Sequence, residues 1–135
     1  MSETIQLDIV TPEKKIFSDK GIESVTVPGI EGDMGILPNH IPIITFLKSG
    51  KIIIETSGKQ QQLSYFISDG VLEFNNNVLT ILASEIYDLE TISSKDIEHL
   101  KIKAKEKNSK QDLTDNEIFL ASKFQEEVDL LSSSK

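Results

Sequence analysis

The chain has 135 residues, of which 38% are apolar and 27% charged, so it can bury the core of one ordinary domain with a small appendage. Its net charge of −8 makes nucleic acid and anionic lipid headgroups unfavourable partners. The absence of cysteine excludes disulfides, thiolate zinc sites and cysteine nucleophiles, and it is typical of a cytoplasmic protein.

The N-terminal segment MSETIQLDIV has no basic stretch before an apolar run, so it does not have the form of a secretory signal. No apolar run approaches the roughly 20 residues that span a bilayer. We therefore expect no direct insertion into a membrane, and any membrane association would go through another protein.

The first 87 residues carry the patterns of an all-β domain. Residues 4–11 alternate, with Ile5, Leu7 and Ile9 on one face, which predicts a half-buried strand. Further short strands are predicted at 15–17, 24–27, 43–47, 51–55, 60–68, 71–74 and 78–83. The predicted hairpin connections are 48–50, 69–70 and 75–77. Short strands with frequent turns predict an antiparallel β-sandwich or flattened barrel over residues 1–87.

A glycine- and proline-rich stretch interrupts these strands between residues 25 and 50. Gly29, Gly32 and Gly35 recur every three residues, which predicts repeated turns at positive φ. Pro38 and Pro42 follow where a phosphate-binding loop would need a helix to begin. The stretch therefore favours shaped turns over nucleotide binding.

Residues 88–135 change to a helical period and predict an antiparallel α-helical hairpin, giving the chain an α+β class overall. Ser93 and Ser94 are suitable N-caps for a helix that reaches about Asn108, and residues 114–117 have the form of a capping box for a second helix ending near Ser132. The second helix carries an apolar stripe at helical spacing. Its members are Ile118, Ala121, Phe124, Val128 and Leu131.

The two predicted helices carry opposite charge. Residues 95–110 contain six lysines and three acids, a net +3, and residues 112–131 contain six acids and one lysine, a net −5. Exposed ion pairs each contribute only about 0–1 kcal/mol, so most of the pairing free energy is expected from the apolar stripe.

Candidate chemical sites are few. His40 follows Glu31 and Asp33, but a metal site needs three converging ligands and this segment has no helix to hold them, so a structural or contact role is favoured. No histidine is placed to activate Ser68 or Ser84, and both read as polar groups in turns. The residues therefore predict no catalytic residue, no metal and no cofactor.

The pattern PG-x-EG-x-x-G-x-x-P-x-H-x-P begins at Pro28 and is followed by Gly50, by DG-x-LE at 69–73 and by VLTILA at 78–83. Together with the helical hairpin, this pattern resembles the epsilon subunit of bacterial F-type ATP synthase, which is equivalent to the mitochondrial delta subunit. The resemblance covers the whole chain.

The resemblance implies a noncatalytic rotor subunit at the foot of the central stalk, peripheral on the cytoplasmic face of the bacterial inner membrane. Its β-sandwich would contact the gamma subunit and the polar loops of the c-ring. The residues that it assigns to this contact are Glu31, Gly32, Asp33, Met34, Gly35 and His40. We expect a bulky residue at Gly35 to weaken assembly, on the reasoning that a Cβ would disturb the loop.

The hairpin departs from the family where ATP-sensing members carry Ile/Leu-Asp-x-x-Arg-Ala. The aligned positions here hold Ile97, Glu98, Lys101 and Ile102, and lysine lacks the planar fork of arginine. We expect ATP binding to be weak or absent. The resemblance also implies that the hairpin can extend toward the alpha and beta subunits, and the charge of its second helix predicts weak inhibition.

Two alternative functions come from other classes. One is a stand-alone ligand-binding β-sandwich module, which co-purification with a membrane ATPase would exclude. The other is an ATP-sensing inhibitory subunit, which a nucleotide-dependent shift in melting temperature would reveal.

Overall fold

The structure is a computed structural model that describes residues 3–56 and 62–134. The chain divides into two compact units, Met1–Leu89 and Glu90–Lys135. The described part of the first unit forms nine β-strands and that of the second two α-helices, which confirms the α+β prediction. The strands are β1 (Ile5–Val10), β2 (Lys15–Gly29), β3 (Gly32–Ile36), β4 (Ile43–Leu47), β5 (Gly50–Thr56), β6 (Gln62–Ile67), β7 (Gly70–Asn75), β8 (Val78–Ala83) and β9 (Ile86–Asp88), and the helices are α1 (Ser94–Ser109) and α2 (Asp115–Ser134).

The longest strand, β2, joins the two layers of a flattened barrel. Its first half pairs with β1, and its second half pairs with β3 and β5, with a register shift between Ile22 and Ser24. Its last residue also pairs with β4, which closes the ring β1-β8-β7-β4-β2. The prediction of two separate short strands at 15–17 and 24–27 is therefore wrong, because one strand of 15 residues continues through the irregularity.

The barrel interior is filled by the alternate residues that the period-2 pattern indicated. In β1, Ile5, Leu7 and Ile9 are fully buried, and the core continues through Val25, Val27 and other aliphatic residues of the remaining strands. Burial of each such side chain contributes about 1.5–3 kcal/mol, so the alternation of β1 is a strong determinant of its register.

Two of the predicted hairpins are wrong. The strands on either side of residues 48–50 do not pair: β4 pairs with β7, whereas β5 pairs with β2 and β6. Residues 69–70 likewise separate β6 from β7, which lie in different parts of the sheet. Both connections cross from one layer to the other. Gly50 permits one crossing, because a Cβ there would lie 2.7 Å from the Cβ of Pro28.

The third predicted hairpin is confirmed. β7 and β8 pair from Gly70↔Ala83 to Asn75↔Val78, and the turn residues Asn76 and Asn77 have φ of 51° and 61°. Asparagine tolerates this left-handed region better than most residues, as a two-residue hairpin turn requires. β1 and β8, by contrast, pair in parallel, so the sheet is not wholly antiparallel.

Two strands were not predicted from the sequence. β3 lies inside the glycine-rich stretch, and β9 follows β8 after a short turn and pairs with β6. The expected strand at 60–68 corresponds to β6, although residues 60 and 61 lie outside the described residues.

The second unit is the predicted pair of helices. Ser93 caps α1 and exchanges hydrogen bonds with Asp96, and Thr114 exchanges them with Glu117 at the start of α2. The hydrogen bonds from Thr114 hold the pKa of the Glu117 carboxyl below its ordinary value. The two helices pack against each other, and Lys107 on α1 stands 4.7 Å from the centre of the Phe124 ring on α2.

The predicted stripe of α2 is correct at four of its five positions. Ala121, Phe124, Val128 and Leu131 are buried, but Ile118 is 52% exposed. Asn108, in the last turn of α1, lies beside Ala121, so Ile118 is one helical turn beyond the end of its partner helix and has no apolar surface of α1 to cover it.

Candidate functional site

The tip of the β2–β3 hairpin presents Glu31 to solvent. Gly29 and Gly32 close the hairpin as a cross-strand pair around Ile30 and Glu31. Gly32 has φ of 138°, and a Cβ at Gly29 would lie 2.7 Å from the Gly32 carbonyl oxygen. The hairpin tip therefore needs glycine at both positions.

The three residues that follow Gly32 differ in their orientation. Asp33 is exposed, whereas Met34 is only half exposed and packs against the barrel core. Gly35 of β3 is exposed and pairs with Thr26 of β2. Of the predicted contact residues in this hairpin, Glu31 and Asp33 have the charged side chains that a partner could reach.

Gly35 is not required by the fold of this chain. A Cβ at Gly35 would meet no atom within 4 Å, and its φ is not positive. The expectation that a Cβ there would disturb the loop is wrong, and so is the expectation of a positive φ at Gly29 and Gly35. A glycine that the chain's own fold does not require, in an exposed strand, leaves room for the close approach of another backbone.

His40 follows β3, in the loop at residues 37–42, whereas Glu31 lies at the tip of the β2–β3 hairpin and Asp33 in β3 itself. The Nδ1 of His40 donates to the Ile41 carbonyl at 2.7 Å, and its ring meets Phe74 edge-on at 5.9 Å. Among the described residues, no three His, Cys, Asp or Glu side chains are grouped to hold a metal ion.

His40 borders a shallow cavity at the end of the barrel where β3 leads into β4. The cavity has a volume of about 400 Å³ and is lined by Asn39, His40, Pro42, Asn75, Asn76 and Asn77. Its walls come from two loops, residues 37–42 and the β7–β8 turn.

An exposed apolar patch, which the sequence reasoning missed, covers the outer face of the sheet. Phe46, Val71, Leu82 and Val10 lie in one cross-strand row over β4, β7, β8 and β1. Phe46 and Leu82 are 64% and 52% exposed, and Ile44, two residues before Phe46, is 72% exposed. We call Val10, Ile44, Phe46, Val71 and Leu82 the outer apolar patch. The run IITFL at 43–47 could have indicated it, since consecutive apolar residues predict two covered faces.

Two carboxylates border the outer apolar patch. The neighbouring row joins Ile44, Glu73, Thr80 and Asp8. Ser18 donates to Asp8 Oδ1 at 2.6 Å, and this hydrogen bond holds the pKa of the Asp8 carboxyl below its usual value of 3.8. Asp8 therefore keeps a fixed negative charge beside the patch.

Ser68 and Ser84, which were predicted as polar groups in turns, lie in two neighbouring connections between strands. Ser84 Oγ donates to Asp69 Oδ1 at 2.5 Å, and the Ser68 amide donates to the Glu85 carbonyl at 3.2 Å. These contacts fix the connection between β6 and β7 beside the β8–β9 turn.

The residues at the family's nucleotide motif all lie on α1. Ile97 is 6% exposed and belongs to the buried face, whereas Glu98 and Ile102 are exposed and Lys101 is half exposed. Within the described part of the chain, no helix is both long enough and apolar enough to cross a membrane.

Comparison with known proteins matches this chain to one family. The β-sandwich domain of the ATP synthase delta/epsilon chain matches residues 4–88. The ATP synthase epsilon chain of Pelagibacter ubique is 38% identical over 133 residues, which is 98% of each chain. That of Maricaulis maris is 34% identical over 129 residues, 96% of this chain and 86% of the relative.

Solved structures share the fold. A chain of the Euglena gracilis mitochondrial ATP synthase OSCP/F1/c-ring structure is similar with a TM-score of 0.72 and 22% identity, over 99% of this chain and 82% of that one. A chain of the Tetrahymena thermophila mitochondrial ATP synthase central stalk/c-ring structure has a TM-score of 0.66 and 17% identity, over 98% and 97%.

Proposed function

The chain belongs to the ATP synthase delta/epsilon chain family, and from this membership we propose that it is a noncatalytic central-stalk subunit which couples the c-ring to the catalytic head. It would act at the cytoplasmic face of the bacterial inner membrane as a peripheral component, with gamma and the c-ring as partners. The observation that carries the proposal is the outer apolar patch, an exposed surface that this family's assembly would cover.

The outer apolar patch is suited to gamma. Two of its largest side chains, Phe46 and Ile44, stand mostly in solvent, and such contiguous apolar surface marks interaction sites in soluble proteins. Asp8 and Glu73 lie in the next cross-strand row. A matching partner surface would be apolar and would carry lysine or arginine at its rim, which gives the contact one orientation.

The β2–β3 hairpin is suited to the c-ring. Its tip offers Glu31 on a turn that Gly29 and Gly32 make tight, and Gly35 leaves space for a close approach. A contact that transmits torque needs a rigid surface, and a short hairpin that is formed by the end of the longest strand of the barrel is such a surface.

Capture from detergent-solubilised membranes tests the contact with gamma. Phe46→Ser and Leu82→Ser should abolish co-purification with the ATPase and leave the fold intact, since both side chains are largely exposed. Leu130→Ser is the matched control, because Leu130 is 61% exposed on α2, outside the patch. Normal capture by the Phe46→Ser variant would overturn the assignment of the patch.

A single cysteine tests the contact with the c-ring, because the chain has none of its own. Glu31→Cys, fitted with a short photoreactive crosslinker in the assembled complex, should yield a crosslinked product with the ring subunit. Glu106→Cys, at an exposed position of α1, should not. A product with Glu106→Cys alone would contradict the assignment of the hairpin tip.

The regulatory part of the proposal is weak inhibition. Extension of the hairpin toward the alpha and beta subunits would separate the +3 helix from the −5 helix and would expose Ala121, Phe124 and Val128. Deletion of residues 90–135 should therefore leave ATP hydrolysis by the assembled enzyme nearly unchanged. A large activation after this deletion would show that the hairpin is a strong inhibitor.

A further inference from the structure

Two asparagines join the loop at residues 37–42 to the β7–β8 turn. The backbone N–H of Asn39 donates to Asn77 Oδ1 at 2.6 Å, and Asn77 Nδ2 donates to Asn39 Oδ1 at 3.1 Å. Both residues are in the left-handed region, with φ of 68° and 61°. The Asn77 side chain thus forms a reciprocal pair with the backbone and side chain of Asn39, between segments 38 positions apart in sequence.

Both sides of this pair are anchored to the barrel. On one side, the Gln6 amide of β1 donates to the Asn77 carbonyl at 2.9 Å. On the other, the His40 amide donates to the Leu37 carbonyl at 3.1 Å, and the His40 ring packs on the buried Phe74. The loop is therefore held by its neighbours in one shape before any partner binds.

This fixed loop presents two large apolar side chains to solvent. Leu37 is 60% exposed and Ile41 is 73% exposed. Ile44 of the outer apolar patch lies only three residues after Ile41, at the start of β4. The loop thus adjoins the outer apolar patch and extends its exposed apolar surface beyond the sheet.

We propose that Asn77 is a positioning residue for partner binding: it holds residues 37–42 in the shape in which Leu37 and Ile41 meet the partner that covers the outer apolar patch. The proposal rests on the proposed function, in which that partner is gamma. A loop that is fixed in advance loses less conformational freedom when it binds, so the pair would act on affinity without touching the partner itself.

The chain offers a matched pair of variants. Asn76 and Asn77 are adjacent, line the same cavity and have similar positive φ, so glycine fits the backbone at either position. Asn77 forms both hydrogen bonds with Asn39. Asn77→Gly removes both hydrogen bonds with Asn39 and keeps the turn. Asn76→Gly is the control for the loss of an asparagine from the turn.

The first measurement is amide hydrogen exchange of Asn39 in the full chain, with global stability followed by urea unfolding. Loss of Asn77 Oδ1, the acceptor of the Asn39 N–H, should speed exchange at Asn39 by roughly fivefold or more in Asn77→Gly, and Asn76→Gly should not change it. Asn77→Asp keeps an acceptor for the Asn39 N–H and should restore most of the protection. Equal exchange in Asn77→Gly and the unsubstituted chain overturns the proposal.

The second measurement is the affinity of the full chain for purified gamma. Asn77→Gly should weaken binding by about threefold to tenfold at unchanged urea stability, because the loop must be ordered on binding, and Asn76→Gly should bind normally. Unchanged affinity of Asn77→Gly, with the unsubstituted chain binding well, overturns this inference alone. Failure of the unsubstituted chain to bind gamma overturns the proposed function and this inference together.

Discussion

The side-chain amide of Asn108 on α1 donates to the backbone carbonyl of Ala121 on α2 at 3.0 Å. The same Nδ2 also donates to the Ala104 carbonyl, one turn earlier in its own helix, at 2.8 Å. One side chain therefore links the last turn of α1 to the buried face of α2. It marks the point from which the two helices run antiparallel.

Asn108→Ala should destabilise the hairpin by about 1 kcal/mol, because it leaves the Ala121 carbonyl without this donor. Hydrogen exchange of the α2 amides in the full chain is the measurement, since exchange separates local opening from global unfolding. Gln111→Ala, at an exposed position between the helices, is the control. Equal protection of α2 in both variants would contradict the role of Asn108.

Glycine substitutions in the β2–β3 hairpin should differ sharply. Gly29→Ala should cost about 1–3 kcal/mol of folding free energy, because its Cβ would lie 2.7 Å from the Gly32 carbonyl oxygen and 2.9 Å from Met34 Sδ. Gly35→Ala should change stability by no more than about 0.5 kcal/mol, because its Cβ would point into open space.

Urea unfolding of the two glycine variants checks this difference. Gly35→Trp should keep its fold and yet fail to assemble into the ATPase. This result would show that the partner, and not the chain's own fold, needs glycine at this position. A Gly35→Ala variant as unstable as Gly29→Ala would refute the open geometry at Gly35.

The Ser18–Asp8 hydrogen bond predicts a specific dependence on pH. Because the folded pKa of Asp8 is below its ordinary 3.8, the bond stabilises the fold above that pH and the gain is lost as pH falls through the folded pKa. Ser18→Ala should therefore be less stable than the unsubstituted chain at pH 6, and the difference should vanish in strong acid.

Urea unfolding at several pH values between about 2 and 6 measures this difference. Ser109→Ala is the control, because that hydroxyl donates to the Glu106 carbonyl, which does not titrate. A stability difference for Ser18→Ala that stays constant through the acid range would contradict the assigned cause.

Nucleotide binding should be weak or absent. Glu98 and Lys101 replace the aspartate and arginine of the ATP-sensing motif, and Ile102 replaces its small alanine with a side chain that is 52% exposed. Calorimetric titration with Mg-ATP should show no saturable heat up to about 1 mM, which corresponds to roughly −4 kcal/mol. Saturation below that concentration would show that α1 retains a site.

Exposed apolar residues illustrate what the sequence leaves open. The run at 43–47 places Phe46 in solvent and Leu47 in the core, and nothing in its composition says which side chains face outward. That assignment depends on pairing with β7, which lies more than 20 positions later in the chain. Ile118 is a similar case, because it was interpreted from its neighbours in sequence although its exposure is set by the end of the partner helix.

The sequence by itself determined the features that act over a few residues. The alternation of β1, the turn at 75–77, the N-cap of α1 and the capping box at 114–117 are formed as predicted, because their hydrogen bonds and burial depend on residues two to four positions apart. Only the tertiary structure decided that the chain crosses between layers at Gly50 and Gly70, since a glycine is equally suited to a tight hairpin and to a connection that crosses between layers. It also decided the Asn39–Asn77 pair and the outer apolar patch, because both need segments distant in sequence to be placed side by side.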